Sequence, residues 1–307
     1  MLERLAGKAP PHAAFVVSAI FHYLGPAFAV LLFVRVDVLG VAWLRIAAAA
    51  LVFALWRRPW HVLRNPTVLV WGLVLALMNC CFYTAIDRLP LATVAAIEFL
   101  PVIVLAALGA RTRRNAAAIL LAVPGVYLLT GVHLSGEPLG VALALANAGL
   151  FAAYIVLAHR VASDPEIAGI DGLAGAMLVA LVFVTPMAGW AALPAFSDPI
   201  AIAAGIGVGI SSSVIPYVAD QVAMARLSRA SYALMVSLLP ATATVVGLLV
   251  LTQVPTVTDA LGIALVIVGV ALHREPTPRP AAPPSPTPRP SPAATPTLAA
   301  SGSRGHP

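Results

Sequence analysis

Charge is the first thing this sequence has little of. Of its 307 residues 10% are charged and 61% are hydrophobic, where a soluble domain carries about 25% charged residues. With a mean hydropathy of +0.96, the chain reads as a polytopic membrane protein rather than a soluble globule. Cysteine is nearly absent too. Cys80 and Cys81 are adjacent inside an apolar run, which excludes a disulfide framework and any metal-ligand spacing. The His, Asp and Glu residues are almost all isolated from one another, so no metal site shows. A glycine-rich phosphate loop, a nucleophile elbow and a zinc-protease motif are missing. So are the paired acid and base residues that a membrane enzyme needs on facing helices. The net charge of +6 does not point to nucleic acid, because most positive charges sit at the ends of apolar runs, where they orient a chain in the bilayer.

What the sequence does hold is long apolar runs. Crossing a bilayer core takes about 20 residues, and ten runs qualify: Ala13 to Phe33, Val38 to Trp56, Val68 to Ile86, Leu91 to Ala110, Ala116 to Val132, Leu139 to Leu157, Leu173 to Ala192, Ile200 to Ala225, Tyr232 to Leu251 and Val257 to Leu272. Strands would need an alternating pattern that these runs lack, so the expectation is an all-α integral membrane fold of ten transmembrane helices. The first run is too long for a signal segment and is expected to stay as a helix. One set of run ends holds Arg4, Lys8, Arg57, Arg58, Arg64, Arg111, Arg113, Arg114, Arg160, Arg226, Arg229 and Arg274. The opposite set holds Arg35 and Arg88 beside Asp37, Asp87, Glu137, Asp198 and Asp259. The bias of basic residues toward the cytoplasm then places both termini there, in a cell inner or plasma membrane. Residues 276–307 are rich in proline, serine and threonine and are expected to be a disordered cytoplasmic tail.

A weak internal repeat divides the rest. Arg88-Leu89 through Pro101 has a counterpart in Arg226-Leu227 through Pro240, and PGVYLL at Pro124 to Leu129 parallels VGVAL at Val268 to Leu272. Two halves of five helices, residues 1–160 and 161–275, follow. Because five is odd, the second half inserts upside down relative to the first, an arrangement that builds transporters with a midplane site.

The stretch Phe82 to Pro101 concentrates the chemistry. It carries Glu98 about 10 Å into hydrocarbon, where a carboxylate costs about 2.5 to 3.5 kcal/mol to insert. Pro101 lacks an N–H and so frees the carbonyl of Ile97. Arg45 lies at a matching depth in the second run, which predicts an Arg45–Glu98 pair. That pair is either a structural lock or a switchable site for the ammonium and carboxylate of an amino acid. Should Arg45 move away, Glu98 takes up a proton more easily, which would couple transport to protons. Further candidates are His22 and Tyr23 ahead of Pro26, and Asn79, Asn147 and Tyr154, which serve either cavity lining or interhelical hydrogen bonds. Asp220 is either a gate or a solvated helix end. Pro101, Pro216 and Pro240 are hinges or static kinks, and Pro216 is expected to free the carbonyl of Ser212.

FYTAIDRLPLATVAAIEFLP (Phe82 to Pro101), GLFAAYIVLAHR (Gly149 to Arg160) and SSSVIPYVADQVAMARL (Ser211 to Leu227) together resemble the EamA-type drug/metabolite transporters. They are most similar to the threonine and homoserine exporter branch, over about residues 13 to 273. The resemblance implies ten helices in two inverted halves, no bound cofactor, and proton-driven efflux of small amphipathic metabolites. It carries over onto Arg45, Glu98, Tyr154, Pro216, Tyr217 and Arg226, with an acid kept at Asp220. Where the family has an acid before the second-half proline this chain has Leu239, and Gln253 replaces a glutamate after the ninth helix. The expected partners are thus a small-molecule substrate, the bilayer and protons. Three matters stay open: whether the chain is a monomer or a homodimer, whether the substrate is an amino acid or an amphipathic drug, and whether the tail makes the chain a membrane sensor or scaffold instead.

Overall fold

The computed structural model describes residues 11–101, 112–134, 137–162, 164, 167, 169–217, 219 and 239–272. The expected proline-rich tail, the second half of the fourth run and Asp220 lie outside the described residues. All regular structure among the described residues is helical: α1 (Pro11–Leu32), α2 (Val38–Arg57), α3 (Pro66–Ile86), α4 (Leu91–Glu98), α5 (Arg113–Leu134), α6 (Pro138–Ala162), α7 (Gly169–Ala188), α8 (Pro199–Gly209), α9 (Leu239–Leu251) and α10 (Val257–Leu272). Among the described residues five spans are long and apolar enough to cross a membrane: Val38–Arg57, Pro66–Ile86, Pro138–Val161, Ile170–Ser197 and Pro199–Tyr217.

Local chemistry sets the helix starts. Asn65 caps α3 by accepting the amides of Thr67 and Val68, with Pro66 just inside. Asp198 caps α8 in the same way through Ile200 and Ala201, with Pro199 just inside. Such a cap satisfies amides that have no helical partner, and proline has none to lose. α10 opens on a reciprocal cap, Thr256 accepting from the Asp259 amide while Asp259 accepts from the Thr256 amide and hydroxyl.

Three elements depart from uniform helices. α4 stops at Glu98 instead of running on smoothly, and the carbonyl of Ile97, deprived of its partner by Pro101, takes the Phe99 amide in a tight turn. α7 gives way to a 3-10 segment, Gly189–Ser197. α8 loosens into a π-helical turn, Ile210–Val214, just ahead of Pro216.

Lipid tails are as apolar as a leucine side chain, so helices associate through close packing of small residues and polar contacts. α5 lies against α10; α3 packs on α6 and α7, α2 on α7 and α8, α1 on α8 and α9, and α4 on α6 and α9. The contact surfaces are alanine-rich, with Ala27, Ala42, Ala95, Ala96, Ala144 and Ala174 fully buried. Large apolar side chains such as Leu55, Leu120, Val182 and Leu249 face outward, each more than 70% exposed, as a lipid-facing surface requires.

Candidate functional site

Two polar clusters are buried among these helices. The first is built on Arg45 of α2, which is 9% exposed. Its Nη1 donates to Asn79 Oδ1 on α3 at 2.8 Å, its Nε to Ser213 Oγ at 3.0 Å and its Nη2 to the Ser212 carbonyl at 3.1 Å. The guanidinium also lies over the Tyr83 ring, 5.4 Å from its centroid. Ser212 stands four residues before Pro216, so its carbonyl has no helical amide to accept, and Arg45 supplies the missing donor. Asn79 is held in register by donating its own amide to the Leu75 carbonyl at 2.8 Å. Every oxygen that Arg45 contacts is therefore neutral.

The second cluster is built on Glu98, the last residue of α4 and 7% exposed. Asn147 of α6 donates its Nδ2 to Glu98 Oε1 at 3.1 Å. Asn147 is fully buried, and its Oδ1 has no hydrogen-bond partner among the described residues. On α1, Tyr23 is fully buried with its hydroxyl equally without a partner, and it lies within electrostatic reach of Glu98. His22 sets its ring edge-on to Tyr23 at 5.3 Å and is within reach of Arg45. One turn earlier, Ser18 donates to the Pro216 carbonyl at 3.3 Å, tying α1 to the distorted part of α8. The expected Arg45–Glu98 ion pair is not formed. The two side chains sense each other's charge, but the carbonyl freed by Pro216 and the amide oxygen of Asn79 compete successfully for the guanidinium.

The model of the EamA-like transporter family matches residues 138–274 of this chain. The threonine/homoserine exporter RhtA of Escherichia coli strain K12 is 30% identical over 250 residues, covering 79% of this chain and 84% of that protein. This chain belongs to the EamA-like transporter family. RhtA of Salmonella typhimurium strain LT2 is 28% identical over 264 residues, covering 82% of this chain and 88% of that protein. A solved crystal structure at 20% identity aligns with a TM-score of 0.56 over 85% of this chain and 96% of that one, which shows a shared fold. As an EamA-like transporter the protein is a multi-pass membrane protein that moves a small-molecule substrate, and its relatives are transporters rather than enzymes.

Within the EamA-like bundle, Arg45 meets Asn79 and Glu98 meets Asn147, while His22 and Tyr23 lie edge to face on α1. Tyr154 belongs to a group of aromatic rings. It stacks on Phe151 at 5.9 Å and meets Trp71 at a tilt at 5.6 Å, and Phe151 meets Phe99 at 6.2 Å. An aromatic wall thus runs from the break after Glu98 toward α3. Tyr217 follows Pro216 and packs, half-buried, beside this wall's core. Pro101 and Pro216 sit at the two helix irregularities, whereas Pro240 lies buried near the start of the described α9. The contacts of Arg45 with Ser213 and Tyr83 were not foreseen. The only sequence signal near them was the four-residue spacing from Ser212 to Pro216. Among the described residues no three His, Cys, Asp or Glu side chains cluster to hold a metal.

Contacts at the helix ends complete the electrostatics. Arg35 pairs with Asp198 at 3.0 Å, Arg57 with Asp171 at 2.7 Å and Arg88 with Glu137 at 3.6 Å. Gln253 Oε1 accepts the Leu91 amide at 3.0 Å, capping the helix that carries Glu98. The Ala201 amide and then Arg35 hold the Asp198 carboxyl below the usual carboxylate value.

Proposed function

We propose that this protein is a secondary exporter of small amino acids or related metabolites, of the threonine or homoserine kind, driven by protons. It works by alternating access between two inverted five-helix halves, residues 1–160 and 161–275, in a cell inner or plasma membrane. Both termini and the tail 276–307 are cytoplasmic. The observation that carries the reading is a carboxylate, Glu98, buried at a helix break and bonded to Asn147, in a chain related to threonine/homoserine exporters.

Several internal correspondences support the two halves. The Asn65-Pro66 start of α3 recurs as Asp198-Pro199 at α8, with identical capping. At that same spacing Asn79 matches Ser212, so Arg45 bridges equivalent points of the two halves. At the spacing of PGV and VGV, Gly125 and Ala118 match Gly269 and Gly262. A Cβ on Gly125 would meet the Gly262 carbonyl at 2.8 Å, and one on Gly269 the Ala118 carbonyl at 2.9 Å. Exchanging each helix with the one five later turns α3–α6 into α8–α1, α3–α7 into α8–α2 and α4–α6 into α9–α1, all of them packed pairs. Inverted halves place a substrate at their interface, near broken helices.

Glu98 is the proton-carrying group in this reading, since a buried carboxylate changes the charge of the transport path when it gains a proton. Uphill efflux of radiolabelled threonine from loaded, energised cells tests it. The wild type is expected to export and Glu98→Gln to lose uphill export while keeping exchange. Uphill export by Glu98→Gln at the wild-type rate would remove the coupling role. Absence of threonine export by the wild type would remove the substrate assignment.

A further inference from the structure

Asn147 Oδ1 and Tyr23 Oη are both fully buried and neither has a partner among the described residues. Leaving such a group unpaired in a water-free interior is costly. Asn147 is bonded to one carboxylate, Glu98, whose Oε1 accepts its neutral amide, and Tyr23 is close enough to that carboxylate to feel its charge. The set offers three oxygens, and among the described residues no cation is bonded to it.

We propose that Glu98, Asn147 and Tyr23 form the subsite for the ammonium group of the transported molecule, and that Arg45 does not take its carboxylate. The inference rests on the exporter reading and deepens it. A primary ammonium presents three N–H groups to three oxygens, one of them charged. A divalent metal fits poorly, because calcium takes six to eight oxygens and magnesium needs six in octahedral geometry. A quaternary amine has no N–H to give. Arg45 spends its Nε, Nη1 and Nη2 on joining α2 to α3 and α8, which makes it a positioning residue. Recognition by the ammonium alone means that the transporter accepts small primary amines lacking a carboxylate, and rejects hydroxy acids lacking an amine.

The test is competition against radiolabelled threonine on the purified full chain in lipid nanodiscs, with threoninol as the amine and 2,3-dihydroxybutyrate as the acid, together with thermal stabilisation of the protein by threoninol and ethanolamine. Threoninol is expected to compete within about tenfold of threonine, and the hydroxy acid to be at least a hundredfold weaker. Tyr23→Phe removes only an unpartnered hydroxyl, so it keeps the fold while weakening threonine and threoninol alike by several-fold. Asn147→Leu weakens them by tenfold or more. Competition by the hydroxy acid at or below the threoninol concentration overturns the proposal, as does threonine binding left unchanged in Tyr23→Phe and Asn147→Leu. Failure of the exporter reading looks different: threonine then neither binds nor moves, while the two amines still stabilise the wild type and not Asn147→Leu. Stabilisation by neither amine would sink the subsite itself.

Discussion

Replacing Arg45 with lysine should loosen the bundle by an amount set by geometry rather than by charge. The guanidinium reaches Asn79 on α3 and both Ser212 and Ser213 on α8, at 2.8 to 3.1 Å. A lysine ammonium is a single point on a flexible stem and serves one helix or the other, not both. At least two hydrogen bonds are then lost. Interhelical hydrogen bonds in membranes average about 0.6 kcal/mol and reach about 1.7, so the expected loss is about 1–3 kcal/mol. The share owed to the Ser212 carbonyl can be isolated, because that carbonyl is free only on account of Pro216. In a Pro216→Ala background the alanine N–H becomes available to it, and the cost of Arg45→Lys should fall by about 1 kcal/mol. Unfolding free energies of the four proteins, measured by titrating denaturing detergent into mixed micelles, close this double-mutant cycle. Strict additivity, within about 0.3–0.5 kcal/mol, would refute the claim that Arg45 caps the carbonyl freed by proline. An Arg45→Lys variant as stable as the wild type would refute the cross-linking role altogether.

Asp198 offers a pH test at a helix end. Its folded-state carboxyl lies below the ordinary value of 3.8, held down by the Ala201 amide first and by Arg35 next. Its contribution is thus complete above that value and lost as the pH falls through the folded one. In Asp198→Asn the cap is kept, as Asn65 already demonstrates on α3, so the difference in melting midpoint between wild type and variant should shrink from pH 7 to pH 3; a constant difference would contradict the assignment. Packing between α5 and α10 gives a second comparison. A Cβ on Gly262 would stand 2.8 Å from Leu129 Cγ and 2.9 Å from the Gly125 carbonyl, whereas one on Gly207 meets nothing within 4 Å. Gly262→Leu should lower stability by about 1–3 kcal/mol through overpacking and Gly207→Leu by far less; equal effects on the unfolding midpoint would show that the α5–α10 contact is not close.

The helices were legible because their causes are local. Apolar runs of membrane length, Asn-Pro and Asp-Pro caps, and prolines that strip an amide from the ladder act within a few residues of themselves. Hence the irregularity ahead of Pro101 and the carbonyl that Pro216 leaves at Ser212 could be read from spacing alone, whereas the runs read as starting at Val68 and Ile200 begin at Pro66 and Pro199. The position of Glu98 and Arg45 seven residues into their helices was legible in the same way, since it counts residues from a helix start. Their pairing was not, because equal depth says nothing about the direction a side chain takes around its helix axis.

That direction is set by how the helices rotate and pack, which involves residues far apart in the chain. Asn147 meets Glu98 across 49 positions and Arg45 meets Ser213 across 168. No pattern of period 3.6 in either helix carries such information. Sequence by itself determined an all-helical membrane protein with one costly buried carboxylate beside a proline. Only the tertiary structure decided that the arginine is spent on neutral oxygens of α3 and α8, and that the carboxylate keeps an amide and a phenol for neighbours, because which polar groups satisfy one another in a water-free interior depends on the three-dimensional competition for each donor.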